Sequence, residues 1–104
     1  MNPQDTEPIY VISIAARMVG VQTHTLRYYE KLGIIEPSRS LGKIRLYSNR
    51  DIAQLRRVKT LMDDLGVNLA GVEVILRMAQ RMAELQRHME ELELELENFR
   101  QSQL

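Results

Sequence analysis

The chain has 104 residues, enough for one small domain with an appendage, and a chain this short buries little apolar surface by itself. It contains no cysteine, which excludes disulfides, thiolate metal sites and cysteine nucleophiles. Its formal net charge is zero, but residues 8–60 carry ten Lys or Arg against three acids, whereas residues 61–104 carry four against nine. A basic segment followed by an acidic helix is typical of a polyanion-binding domain with a solvated extension.

The N-terminal residues 1–9 contain two prolines and no apolar periodicity, so we expect a flexible tail. The next residues, Tyr10–Ile12, favour β-structure. The chain has no run of about 18 apolar residues, and its acidic N-terminus differs from a signal peptide. We therefore expect a cytoplasmic protein with no membrane contact.

Two short helices are predicted next. Ser13 is expected to cap the first helix, which ends at Gly20. The second helix opens at Gln22 or Thr23 and ends at Gly33. Two short helices joined by a glycine turn predict a helix-turn-helix.

A small β-hairpin, or wing, is predicted over residues 34–47. This stretch holds Pro37 and Gly42 between apolar residues, and it then alternates from Lys43 to Tyr47. Such a hairpin after a helix-turn-helix would place further basic side chains beside the second helix.

Ser48 and Asp51 have the spacing of a capping box, so we predict a third helix that starts there and ends at Gly66. Asn68 is expected to cap a fourth helix that begins near Leu69. The basic residues of the third helix either touch phosphates or form a solvated surface; they are Arg50, Arg56, Arg57 and Lys59.

From Ile75 onward the apolar residues alternate at spacings of three and four, which predicts a coiled coil rather than a helix lying on a globular core. The methionines fall in register with the leucines, so core packing is favoured over a soft-metal site. His88 lacks a second ligand at useful spacing and is expected to be a surface residue. The predicted dimerisation residues are Met78, Met82, Leu85, Met89, Leu92, Leu96 and Phe99.

The strongest local signal is TLRYYEKLG, residues 25–33, on the second helix. Thr25 and Tyr28 share one helix face, so they can meet a ligand while the neighbouring face packs inward. An exposed Arg27 could bind a phosphate or a guanine edge. The alternative is that both tyrosines belong to the core and Arg27 pairs with Glu30.

This layout resembles the MerR superfamily of bacterial regulators. Three stretches carry the resemblance: ISIAARMVGV (12–21), TLRYYEKLGIIEPSRS (25–40) and RLYSNRDIAQLRRV (45–58). The similarity implies a mainly α fold in three parts, listed in chain order: a flexible tail over 1–9, a winged helix-turn-helix DNA-binding domain over 10–76, and a C-terminal coiled-coil dimerisation helix over 77–104.

The resemblance also implies which residues contact DNA. On the second helix Thr25, Arg27 and Tyr28 would face the major groove or its phosphates, and Arg17 would reach the backbone from the first helix. His24 would reach base edges from the N-terminal end of the second helix, unless it is an unpartnered surface histidine. The full predicted set is Arg17, Thr23, His24, Thr25, Arg27, Tyr28, Lys43, Arg45 and Tyr47.

Within the superfamily the chain is similar to the heat-shock repressor branch, HspR, through GVNLAGV (66–72) and IYVIS (9–13). This similarity implies a repressor of heat-shock or chaperone genes that binds an inverted-repeat operator in double-stranded DNA. It implies a homodimer formed by an antiparallel coiled coil, a DnaK-type chaperone as co-repressor and only an indirect effect on RNA polymerase. No cofactor is implied, and the location would be the bacterial cytoplasm, at the nucleoid.

The sequence also bears on three other functions. An enzyme would need a nucleophile with a base, a carboxylate pair in a pocket or a metal constellation, and the sequence indicates none of these. A coiled-coil adaptor that binds only proteins would not need the basic second helix and wing. A MerR-type activator that responds to a small molecule would need a sensor, for which the residues after Phe99 offer little material.

Overall fold

The computed structural model describes residues 3–40 and 42–104 and divides the chain into two compact units between Val72 and Glu73. We predicted this boundary four residues later, after residue 76. The fold is mainly helical with a small antiparallel sheet and a long C-terminal helix, as predicted.

Helix α1 (Ile12–Val19) and helix α2 (Thr23–Lys31) form the helix-turn-helix. Gly20 ends α1 as predicted, in the left-handed conformation with φ 85°, and its N–H donates to the Ala16 carbonyl at 2.8 Å. The prediction that Ser13 caps α1 was wrong. Ser13 lies inside the helix, and the N-cap position is Val11, which makes no side-chain capping bond.

The wing is part of a three-stranded antiparallel sheet in the order β1-β3-β2. Strand β2 (Ser38–Arg39) and strand β3 (Arg45–Tyr47) form the predicted hairpin, with Arg39 opposite Arg45. Strand β1 (Tyr10–Val11) pairs with the other side of β3 and joins the N-terminal segment to the wing, which the sequence analysis did not predict.

Helix α3 (Asn49–Lys59) begins with the predicted capping box: the Ser48 hydroxyl accepts from the Asp51 N–H at 3.1 Å, and the Ser48 N–H donates to the Asp51 carboxylate at 2.9 Å. The α-helix ends earlier than predicted. One turn of π-helix, Thr60–Asp64, follows it. Two acids at the C-terminal end of a helix oppose its dipole, which favours a loosened last turn.

The core of the first unit lies between α1, α2, α3 and β3. Its fully buried side chains come from all four elements, so each element loses apolar contacts if another is displaced. The core residues are Ala15, Ala16, Val19, Leu26, Ile35, Tyr47, Ile52 and Leu55.

The expected N-terminal tail differs in the structure. Pro3–Thr6 form one turn of 3₁₀-helix near α3, and the Ile9 N–H donates to the Tyr47 carbonyl at 3.1 Å, which extends the β1–β3 ladder. Apolar and β-branched residues at the start of β1 therefore order the part of the predicted tail that the structure describes, whereas residues 1–2 lie outside it.

Helix α4 (Leu69–Ser102) starts where predicted, and the Gly71 N–H donates to the Asn68 side-chain oxygen at 2.8 Å. From Arg77 to Leu104, every apolar side chain is exposed. No helix in the described part of the chain is both long and apolar enough to cross a bilayer.

Candidate nucleic-acid interface

Helix α2 has one buried and one exposed face. Leu26 is completely buried, whereas Arg27 is exposed and the Tyr28 side chain is 51% exposed. Tyr29 is half-buried, and its hydroxyl donates to the Met62 sulfur at 3.6 Å. The two tyrosines therefore have different roles: Tyr29 packs inward, and Tyr28 is available to a ligand.

Arg27 does not pair with Glu30, which overturns the alternative considered from the sequence. The Glu30 carboxylate pairs with Arg39 and Arg45 instead. Across the described residues Arg27 has no hydrogen-bond or ion-pair partner. Its guanidinium is free to donate to an external anion, and five N–H donors suit it to phosphates and guanine edges.

The other predicted residues of the helix-turn-helix lie around this exposed face. Arg17, in the last turn of α1, and His24, in the first turn of α2, are exposed. Thr23 and Thr25 are half-buried. Gln22 occupies the N-cap position of α2 without a side-chain bond to the helix. The Thr25 N–H donates to the Gln22 carbonyl at 3.1 Å, which leaves the two N–H groups before it available to an anion.

Two basic residues of α3 stabilise the helix-turn-helix rather than forming a free surface. The Lys59 ammonium donates to the Val19 carbonyl at 3.2 Å and the Gly20 carbonyl at 3.3 Å. The Arg56 guanidinium donates to the Met18 carbonyl at 3.4 Å. These cations satisfy carbonyls at the C-terminal end of α1. A Cβ at Gly20 would lie 2.8 Å from the Lys59 nitrogen, which the flexible lysine side chain could withdraw only by giving up its bonds to these carbonyls, so the turn requires glycine mainly for its left-handed conformation.

The wing presents Lys43 to solvent. Ser40 and Ile44 close the hairpin, with the Ser40 N–H donating to the Ile44 carbonyl at 2.9 Å. Lys43 lies in this turn with φ 62°, a left-handed conformation that costs a non-glycine residue on the order of 1–2 kcal/mol. Its side chain is exposed and unpaired within the described residues. The turn thus holds a cation where glycine would be less strained.

Tyr47 was predicted to contact DNA, and the structure corrects this. Its side chain is completely buried in the core, so it has no surface to offer a phosphate. Among the described residues its hydroxyl has no hydrogen-bond partner. Burial, and secondarily the nearby Glu30 carboxylate, raises the pKa of Tyr47 above its usual value of 10.0. Side chains alternate between the two faces of a strand, and Tyr47 of β3 lies on the face that packs against the core. The motif alone does not show which face this is.

Arg45, the other residue of the predicted wing motif, is only partly exposed and pairs with Glu30. Sequence reasoning missed this role of Glu30. It is separated from Arg39 and Arg45 by nine and fifteen residues, and no local spacing rule links a helix to a later hairpin. In the free protein, Arg45 is therefore engaged within the chain.

The predicted dimerisation residues form one open stripe along α4. Each exposes at least 47% of its surface in the single chain. His88 is also exposed, and its Nδ1 lies 3.9 Å from a Glu91 carboxylate oxygen. No group of three or more His, Asp or Glu within the described residues is placed to hold a metal ion.

An exposed basic helix behind a tight turn, flanked by a hairpin with a cation at its tip, defines a winged helix-turn-helix DNA-binding protein. The MerR HTH family regulatory protein model matches residues 10–79. The chain therefore belongs to the MerR HTH family.

Curated relatives support this assignment. The chain is 47% identical over 89 residues to a protein provisionally named heat shock protein HspR in Streptomyces coelicolor, covering 86% of this chain and 58% of that one. It is 32% identical over 77 residues to the HTH-type transcriptional regulator GlnR of Bacillus anthracis, covering 74% of this chain and 59% of the relative. The chain thus spans less than two thirds of the length of these relatives.

Solved structures share the fold. HiNmlR, a MerR family regulator lacking the sensor domain and bound to promoter DNA, aligns with a TM-score of 0.62 and 18% identity over 88% of this chain and 76% of that chain. A MerR family transcriptional regulator from Bacillus cereus aligns with a TM-score of 0.57 and 26% identity over 79% of this chain and 78% of that chain. The resemblance to the MerR superfamily and its heat-shock repressor branch is confirmed.

Proposed function

We propose that this MerR-family DNA-binding transcription regulator is a homodimeric repressor of heat-shock or chaperone genes that binds an inverted-repeat operator. The observation that carries the DNA contact is the exposed face of α2, where Arg27 has no partner among the described residues and Tyr28 points outward. Similarity to the Streptomyces coelicolor relative named for heat shock supports the choice of regulated genes.

The recognition contacts divide into two kinds. Arg27 and Tyr28 would enter the major groove with α2, and His24 and Thr25 would lie near the first bases because they are in the N-terminal turns of that helix. Lys43 at the wing tip and Arg17 would bind flanking phosphates, which fix the orientation of the protein without reading sequence. Bound in this way over a promoter, the dimer would repress by excluding RNA polymerase.

The second copy would bind along the exposed stripe of α4. Residues 73–88 carry three basic residues and two acids, whereas residues 89–104 carry one basic residue and five acids. A parallel pair would place the two acidic halves side by side, and an antiparallel pair places each acidic half against the weakly basic half of its partner. Charge therefore favours the antiparallel coiled coil. Its two heads should engage half-sites about 34–36 Å apart, or a multiple of that distance.

Selection of duplexes from a random-sequence library tests the proposal. The full chain should enrich an inverted repeat, and its affinity for that duplex should fall steeply as salt rises. Failure to enrich any sequence, or binding that ignores salt, would reject DNA recognition. The Arg27→Ala variant should lose about 1–3 kcal/mol on the selected duplex and discriminate less at one base position if Arg27 reads a base.

Arg100→Ala is the matched control for Arg27→Ala. Arg100 is an exposed arginine in the last turn of α4, and its removal changes the net charge by the same amount. Equal losses for both variants would mark the effect of Arg27 as one of overall charge. A loss at Arg27 that is uniform across sequences would mark it as a phosphate contact.

The inducing signal needs a separate experiment. Occupancy of the selected duplex is measured with and without a purified DnaK-type chaperone. Tighter binding with the chaperone would support its role as a co-repressor. Release by a small effector, with no influence of the chaperone, would instead favour an effector-responsive activator of the same family.

A further inference from the structure

One carboxylate links the recognition helix to both strands of the wing. Glu30, near the end of α2, pairs with Arg39 on β2 and with Arg45 on β3. Its two oxygens are divided between the two guanidinium groups, so a single side chain spans three elements. We call Glu30, Arg39 and Arg45 the wing clamp.

The clamp extends to the tip of the wing. While one nitrogen of Arg39 pairs with Glu30, the other donates to the Lys43 carbonyl at 3.3 Å. The backbone of Lys43 is thereby connected to α2 through one intervening side chain. Since the ammonium group of Lys43 extends from that backbone, the clamp limits where the wing-tip cation can lie relative to Arg27.

The clamp is partly shielded from water. The side chains of Glu30, Arg39 and Arg45 expose 21%, 43% and 29% of their surface. An isolated surface ion pair contributes little, but one carboxylate shared by two arginines forms a network with more restricted geometry. Such a network suits a positioning role better than a role in overall stability.

Glu30 is also the only acid on α2. A carboxylate on a helix that approaches DNA weakens the attraction to phosphates, and here it further neutralises arginines that could bind them. The Glu30 carboxylate therefore lowers non-specific affinity for DNA, and its contribution lies in the geometry that it imposes on the wing and α2.

We propose that Glu30 is a specificity-determining positioning residue, which holds the wing in register with the recognition helix so that both contact their operator positions at once. The inference rests on the proposed DNA recognition and adds how its selectivity arises. Non-specific binding depends on the number of available cations, and specific binding additionally requires fixed spacing between contacts. Loss of Glu30 should therefore lower selectivity without lowering general affinity.

The test compares the wild-type chain with Glu30→Gln on two duplexes, one selected by the wild-type chain and one with the same bases shuffled. Glu30→Gln keeps the side-chain shape and removes the charge. We expect its affinity ratio between the two duplexes to fall about three- to tenfold, with affinity for the shuffled duplex unchanged or higher.

Glu36→Gln is the matched control. Glu36 is exposed, carries no ion pair among the described residues and changes the net charge equally when replaced. It should raise affinity for both duplexes by the same small factor and leave their ratio unchanged. Arg39→Gln should reduce the ratio as Glu30→Gln does, and the double variant should add little to either, since both changes break the same link.

The outcomes separate the two proposals. If the wild-type chain selects no duplex, the proposed function fails. If it does discriminate and Glu30→Gln keeps the same ratio, or loses affinity for both duplexes equally, the positioning role of Glu30 is overturned while DNA recognition stands. Should Glu30→Gln melt below the assay temperature, Arg39→Gln decides the question, because the more exposed Arg39 side chain contributes nothing to the apolar core.

Discussion

The two units of the chain differ in where their apolar side chains lie. The first unit buries residues from three helices and one strand against one another, with Tyr47 fully enclosed. In the second, every apolar side chain from Arg77 to Leu104 is exposed. An isolated helix has little stability from propensity alone, so in the proposed dimer the second unit would bury its apolar side chains against a partner, whereas the first unit already buries its own. On this proposal, domain folding and assembly depend on separate stretches of sequence.

The strongest test of this difference between the units is a charge introduced into the exposed stripe of α4. Leu85→Glu should weaken dimerisation by about a hundredfold or more, because an unpaired carboxylate buried in an apolar interface costs several kcal/mol. Sedimentation equilibrium should show a monomer, and DNA affinity should fall with it.

Leu94→Glu provides the control for Leu85→Glu. Leu94 is 62% exposed, more than Leu85, but it lies outside the heptad positions of the stripe. This variant should keep the mass of the dimer. Dissociation by both variants, or by neither, would contradict assembly through the stripe.

Truncation of the core tyrosine probes the first unit. Tyr47→Ala should lower the free energy of unfolding by about 3–5 kcal/mol, since it leaves a large cavity. Near-ultraviolet circular dichroism in urea reports on this unit, because all four tyrosines lie before residue 48. The dimer mass should not change. A loss of assembly equal to that of Leu85→Glu would contradict the separation of folding in the first unit from assembly through the second.

Tyr47→Phe removes only the hydroxyl that has no partner among the described residues. Its effect at neutral pH should be within about 1 kcal/mol. Because the folded-state pKa of Tyr47 is raised, wild-type stability is intact below pH 10 and declines as the pH rises toward the folded-state value. Tyr47→Phe should lose less stability than the wild type above pH 10, as measured by unfolding at alkaline pH.

A smaller effect is expected at the start of α3. Ser48→Ala removes the bond from the Asp51 N–H to the Ser48 hydroxyl but keeps the bond from the Ser48 N–H to the Asp51 carboxylate, and should cost about 1 kcal/mol. Ser13→Ala should change almost nothing, because Ser13 makes no capping bond to α1. Urea midpoints for the two variants provide the comparison, and equal losses would contradict the assigned caps.

The smallest effect is a gain. Lys43→Gly relieves the left-handed backbone conformation at the wing tip and should stabilise the first unit by up to about 1 kcal/mol. The same change removes a cation, so affinity for DNA should fall. A variant that loses stability, or that keeps full DNA affinity, would show that Lys43 is not held there for its charge.

Sequence patterns identified the features that depend on local spacing. The Ser48 capping box, the end of α1 at Gly20 and the Asn68 cap all involve residues within four positions of one another, and the structure contains them. The exposed stripe of α4 follows equally from its heptads. Local rules therefore sufficed for most helix boundaries.

Long-range contacts were not predictable in this way. The pairing of β1 with β3 joins residues 35 positions apart or more, and the Lys59 contacts to the end of α1 span about forty residues. Tyr47 was predicted to contact DNA from its motif alone, and the motif does not show whether the side chain points toward the core or toward solvent. The packed sheet shows that it points toward the core. Residue type suggested a surface role for Tyr47, and tertiary burial decided otherwise.

The contacts of Arg56 and Lys59 with the end of α1 also limit how many counterions DNA binding can release. Of the ten basic residues between positions 8 and 60, Arg39, Arg45, Arg56 and Lys59 are engaged within the described chain, which leaves six. Since each neutralised phosphate adds about 0.9 to the slope of log affinity against log salt, a dimer should show a slope no steeper than about −11. A steeper slope would require Arg39 and Arg45 to exchange the Glu30 carboxylate for phosphate, or Arg56 and Lys59 to leave the carbonyls of α1.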